Sequence, residues 1–223
     1  PILSGLVGSE MCIRDRASSF GTGQLINAAL DHGCDKLIIG LGGSATNDGG
    51  MGMMKALGAQ FLGQGGAPLA PDVRALLQLA KIDLQYLDPR LTKTEIVVAC
   101  DVNNPLCGKN GASRIFGPQK GATGDDIVVL DKALARYGDV LAINTGRNIA
   151  IEPGSGAAGG MGAALIGLID AVLKPGVDLV IGIVELAKSL VDADLVITGE
   201  GRIDSQTIHG KTPLGVAKIA KSH

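Results

Sequence analysis

Short apolar runs that each end in a polar, glycine-bearing turn constrain the fold of this chain more than any other feature. Residues 36–41 (KLIIGL) lead into Gly42-Gly43-Ser44-Ala45-Thr46-Asn47-Asp48-Gly49-Gly50, and residues 95–100 (EIVVAC) lead into Asp101-Val102-Asn103-Asn104-Pro105. Residues 195–198 (LVIT) lead into Gly199-Glu200-Gly201-Arg202-Ile203-Asp204-Ser205. β-Branched runs bounded by glycine read as buried strands. The stretches between them carry helical periodicity. Leu25, Ile26, Ala29 and Leu30 fall on one helical face with Gly33 as its C-terminal cap. Further helices are expected over 51–59, capped by Asp48 or Asn47, over 73–80, 125–141 and 157–171, and over 177–191 behind Pro175. Residues 63–71 read as a Gly/Pro-rich loop, and 101–124 as a long loop of the kind that is more often functional than idle. Alternating strands and helices make this an α/β protein.

Composition narrows the function classes. Of 223 residues 46% are hydrophobic and 19% charged, enough apolar material for a packed core. The 34 glycines are about twice the usual share, with no three-residue period, so they mark turns rather than a collagen helix. A net charge of -2 and five aromatic residues leave neither a basic footprint nor stacking surfaces for nucleic acid. Cys12, Cys34, Cys100 and Cys107 form no CxxC pair, which fits reduced thiols and argues against a zinc site. The most apolar window, 161–173, is too short to span a bilayer and contains Asp170, and no export signal is visible, so a cytoplasmic location is expected.

The common nucleotide signatures fit poorly. Gly210-Lys211-Thr212 offers the tail of a phosphate-binding loop, but Ser205 stands where its leading glycine would be and Pro213 follows directly. The dinucleotide pattern is matched by Gly40-Gly42-Ala45 and by Gly154-Gly156-Gly159. The first has no acid about twenty residues on, and the second follows Glu152-Pro153, a poor strand end. These glycines equally suit tight turns and close packing, so an NAD(P)-binding oxidoreductase domain and a non-catalytic binding module both stay open at this point.

The polar turns carry the stronger signal, because ligands of open α/β sheets gather beyond the carboxyl ends of strands. In the first turn, the backbone around Gly43, the hydroxyls of Ser44 and Thr46, the Asn47 amide and Asp48 lie just before a helix, a concavity suited to an anion. Asp48 also suits a helix cap. In the second, Asp101 could hold magnesium or accept a hydroxyl proton, Asn103 and Asn104 could orient a substrate, and Arg114 and Lys120 could neutralise phosphate or carboxylate. An Asx-turn with two solvated cations is the alternative. In the third, Glu200 and Asp204 flank Arg202, the groups phosphoryl transfer asks for, although a structural ion network uses the same residues. Ser205 and Lys211 extend that cluster toward a phosphate, and Asp204 shares with Asp101 the role of candidate metal ligand.

The segments FGTGQLINAAL, IIGLGGSATNDGGMGMMKALGA, VVACDVNNPLCGKNGASRIFGPQKGA, GSGAAGGMGAAL and LVITGEGRIDSQTIHGKTPLGVAKIAK resemble, in order, the signature blocks of the glycerate kinase type 1 family. The resemblance implies ATP and Mg2+ as cofactors, glycerate as acceptor and 2-phosphoglycerate as product. It is compatible with a homodimer, and the residue chemistry of the second and third turns makes Asp101, Glu200, Arg202 and Asp204 the expected catalytic groups. The implied fold has two α/β domains, a Rossmann-like one built from both chain ends and one inserted in it, so 18–190 is expected to be mainly the inserted domain and 191–223 the start of the return. Residues 4–16 (SGLVGSEMCIRDR) resemble translated adapter sequence, which makes 1–17 a non-native leader; a native strand and loop is the other reading. The family's early blocks, among them an Asp-Gly-Gly-Glu-Gly segment, are absent, so the chain is expected to be an internal fragment that lacks kinase activity on its own.

Overall fold

A computed structural model describes residues 17–201 and 212–222. Helix α1 (Phe20–Asp31) turns Ile26 and Leu30 into the core, leaves Leu25 74% exposed against expectation, and ends at Gly33, whose φ of 77° takes the left-handed position. It leads into strand β1 (Lys36–Gly40). Helix α2 (Met51–Ala56) is shorter than its pattern suggests, and Met51, Met53 and Met54 are all buried. Gly23 lets α1 lie directly on α2, because a Cβ there would overlap the Met53 carbonyl oxygen.

Residues 60–83, expected as loop and short helix, contain an antiparallel pair instead. Strand β2 (Gln60–Gly63) pairs with β3 (Leu79–Asp83), with a register shift between Leu62 and Gly63. Short 3-10 segments at Gln64–Gly66 and Val73–Gln78 fill the connection, the second capped by Asp72, whose Oδ1 accepts from the Arg74 N–H at 2.7 Å.

Strand β4 (Glu95–Ala99) lies parallel to β1, with Lys36 opposite Glu95 and Gly40 opposite Ala99. On its other side it pairs in parallel with β5 (Val172–Lys174), a three-residue strand not expected from the sequence. The order β1-β4-β5 therefore places the ends of β1 and β4 side by side.

Helix α3 (Ala112–Phe116) precedes the long α4 (Gly124–Thr145). Thr123 and Asp126 close a reciprocal capping box at the start of α4, and Gly146 at φ 70° ends it. Helix α5 (Ala157–Ile169) is buried on almost all sides. Its first turn is irregular, with Ala158, Gly159 and Gly160 all left-handed at φ 51°, 70° and 92°.

The helix expected over 177–191 is two pieces, α6 (Gly176–Ile183) and α7 (Leu186–Ser189), broken by Glu185 at φ 50°. Helix α8 (Thr212–Lys221) packs Gly215 against Val177 and Ile181 of α6. The strand expected over 195–198 is not seen: among the described residues these four join no ladder, and Leu195 and Ile197 are 76% and 88% exposed. One core joins α1, α2, the β2–β3 pair, α4 and α5 around Phe61, Leu76, Leu134 and Tyr137, and each large side chain so buried contributes roughly 1.5–3 kcal/mol. Among the described residues, no helix is long and apolar enough to cross a membrane.

Candidate active site

Because β1 and β4 run parallel as neighbours, the turns that leave their carboxyl ends meet. Between them lies a crevice of about 390 Å3. Gly42, Gly43 and Ser44 form one wall, and Val102, which follows Asp101 after β4, forms the next. Gln119 and Lys120 close it from the 3-10 turn after α3, and Ala158 closes it from the left-handed turn of α5. The Lys120 ammonium donates to Ser44 Oγ at 3.3 Å and to the Thr46 carbonyl at 3.2 Å, which fixes a positive charge over the first turn. Exposed glycine amides beside a held cation make a surface for an anion.

What keeps the first turn in place is buried beneath it. Asp48, 3% exposed, accepts four hydrogen bonds. Its Oδ2 takes the Ser19 N–H and hydroxyl, both at 2.8 Å, and the Gly52 N–H at 3.2 Å, while Oδ1 takes the Gly50 N–H at 3.1 Å. Ser19 Oγ accepts in turn from the Met53 N–H at 2.9 Å. The carboxylate thus satisfies the amides at the start of α2 and ties them to the approach to α1. Asn47 is equally buried and donates to Ser113 Oγ at 3.1 Å, joining the turn to α3.

The other side of the turn rests on α5. The Gly49 N–H donates to the Gly159 carbonyl at 3.0 Å, and a Cβ at Gly159 would overlap the Thr46 carbonyl oxygen. Tyr137 of α4 packs on Gly49, where a Cβ would lie 2.7 Å from its ring. Its hydroxyl is fully buried with no hydrogen-bond partner among the described residues, and burial, helped by the Asp48 carboxylate, pushes its pKa well above the usual tyrosine value.

The expected site residues divide accordingly. Gly43, Ser44 and Lys120 line the crevice, and Thr46 supplies its carbonyl to Lys120 while its hydroxyl donates to the Ala158 carbonyl at 3.4 Å. Asn47 and Asp48 face inward and hold the turn. Asp101 is exposed at the end of β4, with Oδ1 accepting the Gly176 N–H at 2.9 Å at the start of α6. Asn103 is exposed, whereas Asn104 belongs to the loop framework, donating to the Asn110 carbonyl at 2.9 Å and accepting the Gly156 N–H at 2.9 Å.

Arg114 is not brought to the crevice: α3 turns it toward α4, where its Nε lies 3.5 Å from Asp131 Oδ2. Glu200 is half-buried, while Arg202, Asp204, Ser205 and Lys211 lie outside the described residues, as do 1–16. Among the described residues no three His, Cys, Asp or Glu side chains cluster as a metal cage. Ser19, Gln119, Ala158 and Tyr137 were not anticipated. Ala158 and Gln119 had a visible signal, their places in the runs GSGAAGGMG and GPQKGA.

The dinucleotide-like glycines also find their explanation here. After Gly40-Gly42-Ala45 the next helix begins only at Met51, too far on for a pyrophosphate to sit on its first amides. Gly156 and Gly159 permit close approach, since side chains there would overlap the Pro105 and Thr46 carbonyl oxygens.

Comparison with known proteins settles the lineage. The model of the glycerate kinase family matches residues 4–223. The chain belongs to the glycerate kinase family. It is 54% identical over 203 residues to a glycerate kinase of Bacillus subtilis, covering 91% of this chain and 53% of that protein. It is 52% identical over 206 residues to the glycerate 2-kinase of Escherichia coli, covering 92% and 54%. The crystal structure of a putative glycerate kinase 2 from Salmonella typhimurium LT2, 55% identical, superposes with a TM-score of 0.85 over 92% of this chain and 55% of that one. The α/β fold is thus that of a glycerate kinase, and the chain spans about half the length of the curated relatives it matches.

Proposed function

We propose that the crevice beyond β1 and β4 is part of the active centre of a glycerate 2-kinase, which transfers the γ-phosphoryl of ATP to the 2-hydroxyl of glycerate. The observation that carries this reading is the meeting of two polar turns and a fixed lysine at the ends of adjacent parallel strands in a chain so similar to a glycerate kinase and to a glycerate 2-kinase. Phosphoryl transfer is catalysed mainly by positioning and by charge fixed where charge develops. Lys120 and the amides of the Gly42–Ser44 turn would bind anionic oxygens of phosphate or glycerate, the turn held rigid by Asp48 and Asn47. Asp101, exposed beside the crevice, would accept the hydroxyl proton or bind metal, and Glu200, Arg202 and Asp204 would complete the charge set.

Mg2+ fits this donor set. The ion is usually held by one or two carboxylates together with phosphate and water rather than by a protein cage, and Asp101 keeps an exposed carboxylate. When bound, the metal would offset the negative charge of the nucleotide phosphates. The division near residue 190 and a cytoplasmic location belong to the same reading.

A hybrid in which this chain replaces the matching half of the Escherichia coli glycerate 2-kinase tests it. ATP-dependent phosphorylation of glycerate, followed by coupled ADP release and by the 31P signal of 2-phosphoglycerate, is expected from the hybrid and not from the 223-residue chain alone. Asp101→Asn and Lys120→Met should each lower turnover at least about 100-fold with the fold intact. Near-normal turnover in both variants would refute the assignment.

A further inference from the structure

A second concavity of about 930 Å3 lies between the β2–β3 pair, its connecting turns and α4, and shares no lining residue with the crevice. Its size is at the upper end of the roughly 300–1,000 Å3 usual for small-molecule sites. Pro68, Leu69 and Leu77 give it apolar surface, and Gln64 and Gln78 bring side-chain amides.

Arg136 reaches it from α4. The Arg136 Nε donates to the Leu79 carbonyl at 2.7 Å, which anchors the guanidinium of this half-buried residue. Its two Nη groups have no hydrogen-bond partner among the described residues. A held guanidinium with its outer edge unpaired offers two parallel N–H donors at the spacing of a carboxylate. The other charges at the rim are already engaged, Arg74 with Asp126 Oδ1 at 3.1 Å and Asp72 with the Arg74 N–H.

We propose that this groove is a second ligand site, in which Arg136 binds a small organic carboxylate through both Nη groups while Gln64, Gln78 and the apolar wall hold its body. A carboxylate is favoured over phosphate because the site presents one planar fork beside apolar surface rather than a nest of amides. The site is independent of the proposed kinase reaction, since none of its residues serves the crevice.

The test is an amide-resolved NMR titration of the 223-residue chain with succinate, citrate and, separately, inorganic phosphate. Saturable shifts at Gln64, Gln78, Leu79 and the Arg136 side-chain N–H signals are expected below about 10 mM succinate or citrate, with phosphate weaker. Arg136→Gln should weaken carboxylate binding about tenfold or more. Gln78→Glu, which leaves the Arg136–Leu79 bond in place, should do the same by adding a negative charge to the groove. The proposal is overturned if carboxylates produce no saturable shifts at these residues, if phosphate binds as well as or better than either carboxylate, or if both variants bind with unchanged affinity.

Discussion

Asp48 has the chemistry of a ligand-binding carboxylate and the surroundings of a structural one, and replacing it separates the two. In Asp48→Ala the N–H groups of Ser19, Gly50 and Gly52 lose their acceptor where residues 47–50 are buried. The Ser19 hydroxyl keeps the Met53 N–H as a donor to it but loses its own acceptor. Each buried donor left without a partner costs about 1–3 kcal/mol. Some relaxation and water entry will soften this, so a loss of at least about 3 kcal/mol is expected, a large share of the ~5–15 kcal/mol typical of a folded domain. Urea unfolding of the 223-residue chain, followed by far-UV circular dichroism, reads this directly as a drop in midpoint at constant slope. Asp48→Asn should fall between wild type and Ala, because it keeps one carbonyl acceptor but turns an NH2 toward the remaining donors. A loss below about 1 kcal/mol for Asp48→Ala would refute the buried network and return Asp48 to the list of ligand contacts.

Three further outcomes are expected. Gly159→Ala must place a Cβ against the Thr46 carbonyl at a φ of 70°, and should cost roughly 1–2 kcal/mol for the backbone and about as much again for the overlap; an unchanged melting temperature would contradict the packing of α5 on the first turn. Tyr137→Phe removes a buried hydroxyl that has no partner among the described residues, so stability should change by less than about 1 kcal/mol or rise, and a loss of 2 kcal/mol or more, read by urea unfolding, would reveal a partner. The hydroxyl and N–H of Thr123 hold the Asp126 pKa below its usual value, so the box stabilises the fold above the unfolded carboxyl pKa of ~3.9 and loses that contribution as pH falls through the lower folded value. Asp126→Asn should therefore destabilise at pH 7 and cease to matter in strong acid, as thermal melts across that range would show.

Strands β1 and β4 were legible because each holds an unbroken apolar run, Leu37–Ile39 closed by Gly40 and Ile96–Cys100 closed by Asp101. β5 was not, since three residues between a buried helix and Pro175 carry no period. The β2–β3 pair was hidden for another reason: its strands are four and five residues long and a Gly/Pro-rich connection separates them, so only tertiary pairing distinguishes them from loop. The pattern at 195–198 shows the converse. LVIT has strand propensity, but a strand exists only with a ladder partner, and among the described residues none pairs with it. Site chemistry follows the same rule. Ser44, Lys120, Asp48 and Arg114 all read as polar groups near strand ends, yet the last two are taken by Ser19 and Asp131, partners that only the fold brings near.

The turn at Ala158–Gly160 ties these observations together. Three consecutive left-handed residues, one of them alanine, are costly for a backbone, and such strain persists only where the surroundings over-determine it. Here they do: the Gly156 N–H is held by the Asn104 carbonyl and the Gly159 carbonyl by the Gly49 N–H, while the Thr46 hydroxyl holds the Ala158 carbonyl. Those three partners come from the turns after β4 and β1. The glycine run at the start of α5 therefore locks both crevice walls to one helix, so that opening either wall would require releasing the strained turn. This gives the glycines of GSGAAGGMG a reason that dinucleotide binding does not, and it explains how Ala158, an apolar residue with no chemistry of its own, comes to line a site otherwise made of polar turns.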